Sequence, residues 1–101
     1  MAQTNDDAFW QLVEQFIERA NDAPESLELT EVGGALMVAA SRFNAYALAA
    51  SSIDKASFKD DRDGLLKDYV NQFRSLLADD LEDYANHYKT LIGNTDEAGD
   101  A

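Results

Sequence analysis

The sequence predicts an all-α protein, an antiparallel three-helix bundle, on three observations. The stretch from Val32 to Ala50 is dominated by Ala, Leu and Met, which favour helix. Apolar residues keep helical phase from Leu66 to Leu91. Polar breaks at Asn21–Pro24 and Ser51–Ala56 divide the chain into helix-sized pieces of 5–21, 30–51 and 58–92. At 101 residues with 46% apolar content, these pieces are expected to form one domain, 1–101, closing one core with little to spare.

The first helix opens at Thr4 or Asn5, with Thr4 and Asp7 at capping-box spacing. Phe9, Leu12, Val13, Phe16 and Ala20 form its apolar stripe, flanked by Trp10 and Ile17, opposite a face of Gln11, Glu14, Gln15, Glu18 and Arg19. Pro24 disfavours helical geometry in Ala23 and ends the helix there. Leu27 and Leu29 in the connection are expected to tuck under the end of the bundle.

The central helix starts with Thr30 as N-cap and Glu31 in its first turn, where a side-chain oxygen and a negative charge suit the free amides. One side is bulky, with Leu36, Phe43 and Tyr46, and the other is small, with Gly34, Ser41, Ala45 and Ala49. A helix apolar nearly all round is normally covered on several sides, so it is expected between its neighbours. Gly33 and Gly34 weaken the first turn by about 1 kcal/mol each relative to Ala, which points to a packing reason for lacking side chains there. A membrane span fails on magnitude, because Arg42 near its centre costs about 2.5–3.5 kcal/mol and Asn44 adds to that. Arg42 and Asn44 instead read as structural polar residues of the core, needing partners if buried; Asp80 or Asp83 suits Arg42.

Ser57 and Asp60, at capping-box spacing, begin the last segment, with Gly93-Asn94 as its C-cap. It is one long helix or two, a bend near Asp79-Asp80 giving a fourth. At 1.5 Å per residue it would reach about 50 Å, against about 30 Å for the central helix. Tyr84, Tyr88, Leu91 and Ile92 would then project as an exposed apolar stripe. They are the predicted interface, covered by a second subunit in a homodimer. Residues 95–101 are acidic and poor in apolar side chains, and are expected to be disordered.

A net charge of -12, from 20 acidic and 8 basic side chains, argues against nucleic acid or anionic lipid as a ligand, since both are held by basic residues displacing counterions. A basic protein partner, even an acidic decoy's target, stays compatible with it. Cysteine is absent, which excludes disulfides and Cys-ligated metals. The opening MAQTNDDAFW has no basic stretch followed by an apolar run, so no secretory signal is read there and a cytoplasmic location is the expectation.

No catalytic grouping survives a spacing test. Asp61-Arg62-Asp63-Gly64 resembles the middle of a calcium loop, but that pattern needs an acid at Lys59 and a Glu at Val70. Ser41 and Ser75 have no His within helical reach. The aromatic residues recur at helical spacing, as core and interface residues do, and no cofactor is implied. One anomaly stands out: Asp80 interrupts the apolar stripe of the last helix, with Asp83 and His87 close along it. These three are the candidate ligands of an alternative reading, a bundle metalloprotein or enzyme. The di-iron bundles need two Glu-x-x-His motifs, and this chain has one histidine. A carboxylate and an imidazole at the margin of a core is the simpler account.

The segments DDAFWQLVEQFIERAN, ALMVAASRFNAY and YVNQFRSLLADDLEDY resemble a family of small acidic bacterial proteins of unknown function, over roughly residues 6 to 92. The resemblance implies a helical bacterial cytoplasmic protein and assigns no activity, cofactor or catalytic residue. The reading that results is a noncatalytic, self-associating interaction module.

Overall fold

In a computed structural model the backbone is described for residues 2–93, and side-chain surroundings for residues 6–93. The expectations for Asn94 and for a disordered 95–101 tail lie outside the described residues. Those described are all-helical: α1 Ala2–Asn21, α2 Leu29–Ser51, α3 Lys55–Asn86 and a single turn and a half, α4 Tyr88–Ile92. The chain divides into two units, 1–52 with α1 and α2, and 53–101 with α3 and α4.

In the first unit, α1 begins at Ala2, so Thr4 and Asn5 lie inside the helix rather than capping it. The Asp22 amide donates to the carbonyls of Glu18 (3.0 Å) and Arg19 (3.2 Å), a tightening last turn before Pro24. The N-cap of α2 is Glu28, not Thr30. Its amide donates to the Glu31 carboxylate at 2.9 Å, while its carbonyl accepts from Glu31 and Val32, so an acidic side chain three residues on closes the first turn. Thr30 offered a better-known cap residue, but the helix is already under way when the chain reaches it. Leu27 and Leu29 are exposed, Leu29 at 88%, and are not tucked under anything. At the other end the hydroxyls of Ser51 and Ser52 donate back to the carbonyls of Ala47 (2.8 Å) and Leu48 (3.1 Å), closing the last turn.

In the second unit, Asp54 is the N-cap of α3, its carboxylate accepting from the Ser57 amide at 2.8 Å. Ser57 is therefore the residue that is capped and not the cap. α3 runs unbroken through Asp79 and Asp80, and the break falls instead at His87 (φ -125°, ψ 38°). The His87 amide still donates to the Asp83 carbonyl at 3.0 Å, and its ring Nδ1 lies 3.3 Å from the same oxygen. The Asp83 carbonyl thus keeps its helical partner and has the imidazole beside it as well, and the backbone leaves helical geometry at His87 itself. α4 closes at Gly93, whose φ of 106° favours glycine and whose amide donates to the Lys89 carbonyl at 2.9 Å.

No described residue of either unit is buried. The central helix is not enclosed on several sides: Val32, Asn44 and Leu48 are half-buried, while Phe43 and Tyr46 are each 67% exposed. A Cβ added at Gly33 or Gly34 would meet nothing within 4 Å, so the expected close approach to these glycines is not made. The ring contacts Phe9–Trp10 (5.0 Å) and Phe43–Tyr46 (6.0 Å) join neighbours on one helix, adding local rather than tertiary order.

The cap at Asp54 carries a pH signature. The Ser57 amide first, then the Ser57 hydroxyl, hold the Asp54 carboxyl below its ordinary value of 3.8. A carboxyl lowered in the folded state stabilises it above the ordinary value, and that contribution is lost as pH falls through the lowered one. Asp54→Asn, which can still cap, should melt below the wild type at neutral pH by a gap that closes on acidification below about pH 4. Asp54→Ala should lose helicity at every pH; circular dichroism melts of the three proteins check both outcomes.

Candidate functional site

The feature with most to account for is the surface of α3. At about 1.5 Å per residue its 32 residues reach about 48 Å, against about 35 Å for the 23 of α2 and 30 Å for the 20 of α1. Along one face lie Leu66, Tyr69, Val70, Phe73, Leu76, Leu77, Leu81 and Tyr84, repeating at three- and four-residue steps. Leu66 is 64% exposed, Phe73 54% and Leu76 60%. Tyr88, Leu91 and Ile92, on α4 beyond the His87 break, are exposed as well. Surfaces this apolar and this continuous mark interaction sites in folded proteins.

Asp80 sits on the same face, five turns from Arg62, and both are exposed. Arg62 lies 3.8 Å from the neighbouring Asp63 carboxylate, at the long end for an ion pair and with both side chains largely exposed, which makes the pair a weak tether. On α2, Arg42 is exposed and Asn44 half-buried.

The metal candidates Asp80, Asp83 and His87 are all exposed, on the last two turns of α3 and its break. His87 meets the Asp83 backbone carbonyl rather than a carboxylate. Among the described residues no three His, Cys, Asp or Glu side chains gather closely enough to hold a metal ion. A shallow depression lined by Asp7, Trp10, Gln11 and Glu14 lies on α1 alone and encloses nothing. No helix among the described residues is long and apolar enough to cross a membrane.

A family model described as a protein of unknown function, DUF3144, matches residues 9–85. The chain belongs to this family. No curated protein and no solved structure matches it. The DUF3144 match runs from Phe9 in α1 to Ala85 in the last turn of α3. It takes in the Asp54 cap, Arg42, Asn44 and the apolar face of α3 with Asp80 and Asp83. His87 and the α4 residues Tyr88, Leu91 and Ile92 lie beyond it. Membership in DUF3144 assigns no activity.

Reading the residues alone missed two structural positions, Asp54 and Glu28. Asp54 had a detectable signal, an Asp three residues before a Ser at the start of helical phase. Glu28 had only the Glu31 spacing, which is weak for a Glu cap.

Excess zinc should leave the melting temperature of the wild type and of His87→Ala unmoved. A site filled to a hundred times its Kd would add about 2.7 kcal/mol and raise melting by several degrees in the wild type alone, which would support the metal reading.

Proposed function

We propose that the protein is a noncatalytic, self-associating helical module whose core is completed by a second copy of the chain. The single observation that carries this reading is the exposure of every large apolar side chain along the face of α3, in a chain with no buried residue among those described. Burial of apolar area is the main favourable term in folding, at about 25 cal/mol per Å². Helices as amphipathic as these draw most of their stability from packing, so long apolar faces left in water make poor isolated helices. The antiparallel bundle expected from the sequence is, in this reading, assembled between copies rather than within one. Tyr84, Tyr88, Leu91 and Ile92 extend the association surface toward the chain end, and Arg42 and Asn44 become structural polar residues once it is covered. The net charge of -12 disfavours nucleic acid and anionic membrane and also sets two copies against each other, so the apolar face has to outweigh that repulsion. A cytoplasmic place is consistent with this and is part of the proposal.

Size-exclusion chromatography with light scattering at micromolar concentration tests the reading. The expected result is twice the 11.2 kDa of the chain, and a well-folded monomer of that mass would overturn it. Leu66→Asp or Leu76→Asp should weaken association by at least about a hundredfold, since a symmetric pair loses each buried leucine twice at about 1.5–3 kcal/mol apiece. Analytical ultracentrifugation reads that shift directly.

A further inference from the structure

The exposed face of α3 carries information about how a second copy lies on it. Its residues fall into heptads in which Lys59, Leu66, Phe73 and Asp80 occupy one repeating position, and Arg62, Tyr69, Leu76 and Asp83 the other. The centre of this seam is apolar and its two ends are charged with opposite signs. Lys55, Lys59, Arg62 and Lys67 lie in the first turns of α3 interleaved with Asp60, Asp61, Asp63 and Asp68, so that stretch is neutral overall and its basic charge falls at the seam positions Lys59 and Arg62. Asp79, Asp80, Glu82 and Asp83 cluster near its end.

We propose that α3 pairs with α3 of a second copy in antiparallel orientation, centred on Asn71. This rests on the self-association reading and adds its orientation and register. Reversing one helix brings the first repeating position of one copy level with the second position of the other. Centring on Asn71 then sets Leu66 against Leu76 and Tyr69 against Phe73 of the second copy. The same register sets Arg62 against Asp80 and Lys59 against Asp83 of the second copy, twice each by symmetry. Apolar meets apolar and base meets acid at every level, over about 37 Å of helix.

The competing arrangements fail on charge. A parallel pair in register faces Asp80 and Asp83 with their own copies at one end, and Lys59 and Arg62 with theirs at the other. Sliding the antiparallel pair by one heptad sets Asp80 against Tyr69, or Arg62 against Phe73, leaving a charge on apolar surface. Asp80, out of place in an apolar stripe, thereby gains a role. Charged pairs on a helical seam cost stability and specify register and partner orientation.

Charge reversal and distance measurement test this together. The variant Lys59→Asp with Arg62→Asp, and the variant Asp80→Lys with Asp83→Lys, should each raise the Kd for self-association by about tenfold or more. An equal mixture should pair as a heterodimer, and a chain carrying all four substitutions should regain the wild-type Kd. Recovery in the mixture shows that neither variant had merely unfolded. Because the chain has no cysteine, Asp60→Cys and Asn71→Cys each accept one spin label per copy. In the proposed pair the labels at position 60 are about 33 Å apart along the axis and those at position 71 level with each other. A wild-type monomer would overturn self-association and orientation together. A dimer with the position-60 labels side by side, or one indifferent to both charge reversals, would overturn the orientation alone.

Discussion

Everything in this molecule turns on the removal of apolar surface from water. Three long helices each present an apolar face, and no described residue on any of them is buried. Local interactions supply what order the isolated chain has. The Glu31 carboxylate secures the start of α2, Asp54 secures that of α3, and serine hydroxyls finish α2. Such caps decide where helices begin and end, and each is a small contribution beside the burial that a core of leucine and aromatic side chains would provide.

That division explains which parts of the fold were legible in the sequence. Helix identity was, because the phase of Phe9 to Ala20 and of Leu66 to Tyr84 is set by residue spacing within one element. Helix ends were less so. Thr30 and Ser57 are the residue types that most often cap, yet the caps are Glu28 and Asp54, because the helices start earlier than their apolar phase does. The break at His87 rather than Asp79-Asp80 was not readable either. Two adjacent acids look like a weak point, but both are compatible with helix interior, whereas the non-helical backbone at His87 has no residue signal before it. Packing was the least legible: the small residues at Gly33 and Gly34 look made for a close neighbour, and none approaches.

The candidate site was partly visible as an anomaly. Asp80 within an apolar stripe invites a metal or an acid–base pair when it is read with Asp83 and His87. Read with Arg62 and Lys59, five and more turns earlier on the same face, it belongs to a pattern of opposite charge at the two ends of a hydrophobic seam. The second reading uses residues spread along a helix rather than gathered at a point, and a search for local constellations passes over it. DUF3144 membership brings no activity to the chain, so such a pattern is the most specific functional statement its residues make.

The central claim is that the folded state exists through contact between copies, and mass action makes this measurable. Thermal unfolding followed by circular dichroism across a hundredfold range of protein concentration is the most direct measurement. If a second copy completes the core, the melting temperature rises steadily with concentration, because only the associated state is stabilised. A sharp, cooperative transition at one temperature throughout that range, from a species that stays monomeric, would mean that a single chain shelters its own apolar faces and would contradict the account.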